Sequence, residues 1–221
     1  IHRAATRMNH LIQDLLDVAL MEAGQITIER ARLSAGELVV QAVDMQRLLA
    51  SSSSLEFRVE VDPDVPEVWG DRDRLLQVFE NLIGNAIKFT KLGGRITAGA
   101  ASRDDEVVFW VADTGDGIAS ENLPRIFDQL WQASRADRHG AGLGLSISYR
   151  LAQLLGGELQ VESAEGRGSM FRFSFPCELP RSAKAYEKDP AATPGWAQED
   201  RDDGSLSGRR ILVVEDTPEN R

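Results

Sequence analysis

Cysteine and long apolar runs are the two features that this sequence has least of. Cys177 is the single cysteine and there are three histidines, so neither an internal disulfide nor a structural zinc site is expected. No apolar run reaches the roughly 20 residues that span a bilayer, and the first residues lack the pattern of a secretory signal. We therefore expect a cytoplasmic piece without direct membrane contact.

Basic residues are also in deficit. The 25 lysines and arginines face 35 acidic residues, which gives a net charge of -10 at pH 7. This charge repels nucleic-acid phosphates, so we expect no nucleic-acid partner. With 221 residues and 42% hydrophobic content, the chain can bury one core of ordinary size, so one principal domain with short appendages is expected.

The two ends of the chain differ in composition from its middle. Over residues 1–24, apolar residues recur at helical spacing and Gly24 is placed to end the helix. This indicates one arm of a helical bundle; an ordinary amphipathic helix packed on its own domain is the alternative. Residues 181–208 have the composition of a flexible linker. Residues 209–221 begin with an apolar strand pattern that ends in two acids.

Residues 25–180 alternate between helical and strand patterns. Strands are predicted over Ile26–Glu29, Leu55–Val61, Arg95–Ala101, Glu106–Asp113, Glu158–Ser163 and Ser169–Phe175. Helices are predicted from about Ser34 to Leu49, from the cap Asp71 to about Thr90, and from Leu143 to Leu155. The strands on either side of the polar turn Ser102–Asp105 read as a hairpin, which favours a mixed sheet.

A row of polar side chains marks one side of the helix that follows Asp71. One stripe about 80° wide contains Gln77, Asn81, Asn85 and Lys88, at about 100° per residue. The opposite side is broadly apolar, so the helix is expected to be largely buried and the stripe to line a cleft. Amide oxygens suit Mg²⁺ beside substrate phosphates. A solvent-facing polar stripe is the alternative.

Two glycine-rich segments follow that helix. Asp113 ends a predicted strand and opens Asp-Thr-Gly-Asp-Gly-Ile, where its carboxylate could accept a hydrogen bond from a planar base; a plain Asp-Gly turn is the alternative. Residues 140–145 open a helix whose unpaired amides and dipole favour an anion such as triphosphate. The second spacing is neither a dinucleotide fingerprint nor a Walker loop. The order of these segments along the chain is a more specific indication of nucleotide binding than any one segment alone.

In that order, the segments resemble the nucleotide-binding boxes of sensor histidine kinases. The matching segments are the N box at 81–90, the first glycine box at 113–118, the F box at Ile126-Phe127, the second glycine box at 140–145 and a third glycine element at Gly166–Ser169. The resemblance covers about residues 1–180. It implies an α+β fold of the Bergerat type, a two-layer α/β sandwich. In this fold a mixed, largely antiparallel sheet packs on about three helices. Residues 1–24 would precede it as the incomplete second helix of a dimerisation bundle.

The resemblance also implies that residues 25–180 bind ATP and Mg²⁺. Asn85 would hold Mg²⁺ with Asn81 assisting, Lys88 would meet the phosphates, and Asp113 would bind the adenine amino group. Other implied pocket and lid positions are Gly115, Gly117, Ile118, Phe127, Gly140, Gly142, Leu143, Gly144, Leu145 and Ser169. The lid would run from about Asp128 to Ala141. Within it, Arg135, Arg138 or His139 would contact the terminal phosphate; a solvated charged loop is the alternative for each. No residue is assigned as catalytic.

Two positions affect what the resemblance implies about the lid and the reaction. The F box usually carries a second aromatic three residues after Phe127, whereas this chain has Leu130 followed by Trp131, so lid anchoring could differ. Related gyrase, mismatch-repair and chaperone ATPases carry a general-base glutamate where this chain has Asn81. An amide cannot take a proton from water, which favours phosphoryl transfer to another domain over hydrolysis.

The same resemblance suggests the parent protein and its partners. His2 and His10 lack the acid and proline that follow an acceptor histidine, so we expect the phosphoacceptor to lie outside this chain. Residues 211–216 resemble the first strand and acidic pair of a receiver domain; a tail without function is the alternative. The implied parent is a homodimeric hybrid kinase in a two-component phosphorelay, with a bundle domain and a receiver domain as partners. A non-catalytic nucleotide-gated module and an ATPase that uses water are the competing functions.

Overall fold

The computed structural model describes residues 2–49, 54–104, 106–132, 142–176 and 211–212. Its helices are α1 (His2–Glu22), α2 (Ala35–Leu49), α3 (Arg72–Phe89) and α4 (Gly144–Leu155), with a short 3-10 helix at Leu123–Arg125. Its strands are β1 (Ala31–Ser34), β2 (Glu56–Val61), β3 (Glu67–Gly70), β4 (Arg95–Arg103), β5 (Glu106–Asp113), β6 (Glu158–Ser163), β7 (Ser169–Pro176) and β8 (Ile211–Leu212). The predicted linker at 181–208 lies outside the described residues.

Six of these strands form the main sheet, in the order β2-β4-β5-β7-β6-β8. β2 runs parallel to β4, and every other neighbouring pair is antiparallel. β1 and β3 form a separate antiparallel pair. Helices α2, α3 and α4 pack against strands of the main sheet. The predicted α+β sandwich, with a mixed and largely antiparallel sheet on about three helices, is confirmed.

The core lies between the apolar side of α3 and the sheet. Phe79 on α3 is fully buried, with its ring centroid 5.6 Å from that of Phe109 and 4.9 Å from that of Phe173, both in edge-on contact. Alternate residues of β5 point into this core, as the period of two in a strand requires. Edge-on aromatic pairs add to the stabilisation from burial alone. The core therefore fixes which side of α3 remains for polar contacts.

Asp71 caps α3 and also explains one error of the sequence analysis. Its Oδ1 accepts hydrogen bonds from the amides of Asp73 and Arg74 at 3.1 and 3.2 Å, as an N-cap should. Its Oδ2 accepts the Glu29 amide at 2.9 Å, so that amide is not available to a strand ladder. The strand predicted over Ile26–Glu29 is wrong. The chain forms β1 five residues later, paired with β3, a four-residue strand that the sequence analysis missed.

Helix α4 is held at its C-terminal end by a glycine and an arginine. Gly156 adopts the left-handed conformation at φ +87°, which ends the helix. Arg30 donates from Nη2 to the carbonyls of Leu154 and Leu155, each at 3.2 Å. These bonds satisfy two of the carbonyls that a helix leaves unpaired at its end. The N-terminal end of α4 is different, and it belongs to the candidate site.

Helix α1 has two unlike sides. Its large exposed apolar side chains are Met8, Leu11, Ile12, Leu15 and Leu16. Val18 and Met21 pack on the domain core, and Asp17 is 1% exposed. This division agrees with the helix being part of a bundle, which stays a prediction. Within the described ranges, no helix combines the length and apolarity of a membrane span.

Candidate functional site

The polar stripe of α3 divides between two neighbours. Gln77 donates from Nε2 to Oδ2 of Asp17 on α1 at 2.7 Å. Asn81, one turn further, donates from Nδ2 to the carbonyl of Gly144 and to Oγ of Ser148, both at 3.2 Å. The prediction that Gln77 lines the same cleft as the asparagines is therefore wrong. The hydrogen bond to Asp17 of α1 takes Gln77 out of the row.

The C-terminal half of the stripe remains open to a ligand. Asn85 is half-buried, and no hydrogen bond joins its side chain to the described part of the chain. Lys88 is exposed, and its Nζ lies 4.4 Å from the ring centroid of Phe89. An ammonium on an exposed, flexible stem can leave such a contact at small cost. Asn85 and Lys88 thus offer an amide and a cation next to each other.

The start of α4 faces this stripe. Leu143 occupies the N-cap position without a capping side-chain bond, so no side chain of the described residues caps the first amides of the helix. A Cβ on Gly144 would come within 3.1 Å of Oδ1 of Asn81. Leu143 is buried and Leu145 is half-buried against the core, which anchors the turn. A helix start with free amides is an anion site in physical terms.

Asp113 ends β5 and is the half-buried carboxylate of the site. Its Oδ1 accepts the Gly115 amide at 2.8 Å. Burial raises the pKa of Asp113 above its ordinary value, although the backbone amides of Gly115 and Ser169 act in the opposite direction. The carboxylate is thus oriented by backbone groups and has accepting capacity left for a ligand.

The glycine turn after Asp113 lies against the end of α3. A Cβ on Gly115 would come within 2.4 Å of the carbonyl oxygen of Phe89, a distance that no side chain tolerates. The same carbonyl accepts the Asp116 amide at 3.3 Å, and Asp116 pairs with Lys91. The first glycine box and the end of the N box therefore touch through backbone atoms.

The hairpin between β6 and β7 closes the other side of this turn. Gly117 has φ +68°, and a Cβ there would come within 2.1 Å of the Ala164 carbonyl oxygen. Gly168 has φ +84°, and a Cβ there would come within 1.9 Å of the Asp113 carbonyl oxygen. Glycine is required at both positions by conformation and by space. Ser169 is buried beside them and Ile118 is half-buried.

Ser163, the last residue of β6, was missed by the sequence analysis. Its Oγ accepts the Ile118 amide at 2.8 Å and donates to the Gly168 carbonyl at 2.9 Å. It also lies 3.0 Å from Oγ of Ser169. A serine at the end of an alternating strand carries no local signal of this role, because its partners come from two other segments.

The F box connects to α4 through an aromatic pair that the sequence also did not show. The ring of Phe127 stacks on Tyr149 of α4, with centroids 5.0 Å apart and an angle of 26° between planes. The amide of Leu130 donates to the Gly142 carbonyl at 3.0 Å, and both residues have positive φ. Trp131 is half-buried on the core, whereas Leu130 is 67% exposed. The aromatic that packs here is Trp131, one position later than the family pattern.

Part of the predicted lid lies outside the described residues. This applies to positions 133–141, and so to Gly140, Arg135, Arg138 and His139. The stem of that segment is described, since Leu130 and Gly142 are joined by a backbone hydrogen bond. A Cβ on Gly142 would come within 2.9 Å of the Trp131 carbonyl oxygen, so the two chain segments of this stem pack closely against each other.

The residues that the structure brings together fit a nucleotide with its metal. Asp113 offers a hydrogen-bond acceptor at one end, and the first amides of α4 are donors of the kind that bind phosphate at the other. The side-chain amides of Asn81 and Asn85 lie on the helix between them and are oxygen donors of the kind that Mg²⁺ takes. The close contacts at Gly115, Gly117, Gly142 and Gly168 show a backbone packed too tightly for side chains.

Comparison with known proteins agrees with this geometry. Residues 70–179 match the family described as histidine kinase-, DNA gyrase B- and HSP90-like ATPases, and this part of the chain belongs to that family. Several of the relatives are named as histidine kinases. One of them is the histidine protein kinase DivJ of Caulobacter vibrioides, 36% identical over 192 residues, which cover 86% of this chain and 32% of DivJ.

Two further comparisons extend the likeness. The aerobic respiration control sensor protein ArcB of Escherichia coli is 30% identical over 223 residues, with 98% of this chain and 27% of ArcB covered. The crystal structure of full-length ShkA in complex with AMPPNP superposes with a TM-score of 0.71 at 32% identity, over 79% of this chain and 36% of that chain. The chain thus spans about a third of the length of these relatives.

Proposed function

We propose that this chain binds Mg-ATP and is the ATP-binding catalytic module of a hybrid sensor histidine kinase. The observation that carries the proposal is the contact between Asn81 of α3 and Gly144 at the start of α4. It brings a row of carboxamides to a helix start with free amides. The far end of the same helix touches the Asp113 turn through the Phe89 carbonyl.

Each end of the nucleotide has its own residues in this proposal. Asp113 accepts a hydrogen bond from the adenine amino group, in a pocket shaped by Gly115, Gly117 and Ile118. Asn85 holds Mg²⁺ with help from Asn81, and bound Mg²⁺ neutralises charge on the phosphates. Lys88 contacts the phosphates after leaving the ring of Phe89. The amides at the start of α4 take the triphosphate, supported by the helix dipole.

The γ-phosphoryl group then passes to a histidine of a bundle domain. The bond from phosphorus to the bridging oxygen of ADP breaks, and a bond to an imidazole nitrogen forms. Asn81 supports transfer rather than hydrolysis, because an amide cannot deprotonate water. A homodimeric parent and a receiver domain as the next phosphoryl acceptor complete the proposal. The names of DivJ and ArcB, a histidine kinase and a sensor protein, support this assignment.

Calorimetric titration with Mg-ATP tests the binding half of the proposal. Wild type is expected to bind, and Asn85→Ala and Asp113→Ala are each expected to weaken binding by about tenfold or more. Glu80→Ala is the matched control, since Glu80 is exposed on α3 beside Asn81. Binding that neither substitution weakens would show that the nucleotide lies elsewhere.

A transfer assay tests the catalytic half. The chain is mixed with a separate bundle domain that carries an acceptor histidine, and γ-labelled ATP is added. Acid-labile label on the bundle domain is expected, and Asn85→Ala should reduce it. Nucleotide binding without transfer would favour a non-catalytic nucleotide-gated module. Steady ATP turnover without an acceptor would favour an ATPase that uses water.

A further inference from the structure

Ser163 joins three segments that meet around Asp113. Its Oγ contacts the Ile118 amide at 2.8 Å, the Gly168 carbonyl at 2.9 Å and Oγ of Ser169 at 3.0 Å. All three distances are those of ordinary hydrogen bonds. Ser163 itself is half-buried at the end of β6. A single side chain thus ties the first glycine box to the third glycine element.

The valence of a hydroxyl determines the direction of these bonds. A serine hydroxyl has one donor and two acceptor sites. Because Ser163 accepts the Ile118 amide and donates to the Gly168 carbonyl, its bond with Ser169 must have Ser169 as the donor. The three contacts use every site of the Ser163 hydroxyl. Ser163 therefore has no capacity left for a nucleotide, and any influence on the ligand passes through its neighbours.

Those neighbours hold the carboxylate of Asp113. The backbone amide of Ser169 lies near that carboxylate and favours its charged form, and the Ser169 hydroxyl lies 3.0 Å from that of Ser163. Gly168 lies so close that a Cβ on it would come within 1.9 Å of the Asp113 backbone carbonyl oxygen. A shift of the Gly168-Ser169 backbone would therefore disturb both the backbone of Asp113 and the amide that favours its charged carboxylate.

We propose that Ser163 is a positioning residue that orients Asp113 toward the exocyclic amino group of adenine. Its hydroxyl thereby sets the preference for a purine nucleotide that carries this amino group over one that lacks it. This inference rests on the proposed function, in which Asp113 binds adenine. Without the hydroxyl, the Ile118 amide loses its acceptor and the Gly168-Ser169 backbone loses its restraint, so the carboxylate loses its fixed direction.

The test compares two nucleotides in the 221-residue chain. Affinities for Mg-ATP and for the Mg complex of purine riboside triphosphate, which lacks the amino group, are measured by calorimetry. Wild type is expected to prefer ATP. Ser163→Ala is expected to lower the affinity for ATP about tenfold and that for the analogue less than about twofold. Ser163→Thr keeps the hydroxyl and is expected to stay within about twofold of wild type for both nucleotides.

Ser174→Ala is the matched control, because Ser174 lies on β7 opposite Glu158, away from Asp113. It should leave both affinities unchanged. Ser163→Cys, with a weak acceptor, is a second variant in case the alanine variant does not fold, and it should show the same selective loss.

An equal loss of affinity for both nucleotides would mean that Ser163 has only a structural role, and it would overturn the inference. A wild type that binds ATP without preferring it to the analogue would also overturn it, while the proposed function would stand. A wild type that binds neither nucleotide would overturn both.

Discussion

Gln77 of α3 donates a 2.7 Å hydrogen bond to the carboxylate of Asp17 on α1, across 60 positions of sequence. The second oxygen of Asp17 lies 3.3 Å from Nη1 of Arg74, which also donates to Oε1 of Gln77 at 3.0 Å. Asp17 is 1% exposed. A polar network centred on the buried Asp17 thus joins α1 to the helix that carries Asn81 and Asn85.

Removal of Asp17 is expected to destabilise the chain. Asp17→Ala leaves the half-buried Arg74 and Gln77 without their shared acceptor, which should cost about 2 kcal/mol of unfolding free energy. Urea denaturation measures the change. Asp44→Ala is the control, since its 3.8 Å pair with Arg47 is on the surface and should contribute less than about 0.5 kcal/mol. Equal effects of the two substitutions would contradict the network.

The two asparagines of α3 should respond differently to substitution. Asn81→Ala removes the donor to Gly144 and to the fully buried Ser148, so it should lower the unfolding free energy by about 2 kcal/mol. Asn85→Ala should change stability by less than about 0.5 kcal/mol, because alanine favours helices and Asn85 has no bond to lose in the described structure.

ATP affinities measured with and without Mg²⁺ separate the roles of Asn81 and Asn85 in binding. The loss of ATP affinity in Asn85→Ala should be large with Mg²⁺ present and should largely disappear with EDTA. The loss in Asn81→Ala should persist in part without metal, because the start of α4 is disturbed. A loss in Asn85→Ala that is the same with and without Mg²⁺ would rule out Asn85 as the metal ligand.

Asp113 should make nucleotide affinity depend on pH. Its pKa is raised above 3.8 by burial, so the ionised acceptor is lost at a higher pH than for an ordinary aspartate. ATP affinity should therefore be full above the raised pKa and fall as the pH drops through it. The ATP affinity of wild type divided by that of Asp113→Asn should shrink from neutral to acidic pH. The ratio is used because ATP itself also titrates, and this effect is the same for both proteins. A constant ratio would exclude Asp113 as the titrating group.

The raised pKa of Asp113 makes folding stability depend on pH in the opposite direction from nucleotide affinity. A raised folded-state pKa means that the folded protein holds the proton more tightly than the unfolded chain. The contribution of Asp113 to folding is therefore complete below the unfolded pKa and is lost as the pH rises through the folded pKa. Site function and fold stability thus favour opposite protonation states of one carboxyl group, as expected for a ligand-binding residue.

Gly84 offers a stabilising substitution in the middle of α3. A Cβ there meets nothing within 4 Å, so Gly84→Ala should raise the unfolding free energy by about 0.5–1 kcal/mol through lower backbone entropy in the unfolded chain. Mg-ATP affinity should not change. Gly144→Ala is the contrast, since its Cβ would come within 3.1 Å of Asn81. A stability gain at Gly144 equal to that at Gly84 would show that the Asn81 contact is loose.

Several elements could be predicted because their signals are local. Asp71 caps α3 through amides two and three residues away, and the apolar side of that helix repeats at a helical period. The β4–β5 hairpin follows from two alternating strands around a short polar turn. β3 was missed because four residues are too few for a period to show. The strand predicted before β1 was displaced by the bond from Glu29 to Asp71.

The residue types that suit a nucleotide, and their order along the chain, could be read from the sequence: the amides of α3, Asp113 and the glycines before α4. Their contacts depend on the folded arrangement. The stripe was divided between Asp17 and Gly144, and Ser163 was joined to Ile118 across 45 positions. The reason is physical. Helical and strand periods depend on neighbours within a few residues, whereas the partner of a buried amide or hydroxyl depends on which distant segment the packing of the core brings within 3 Å.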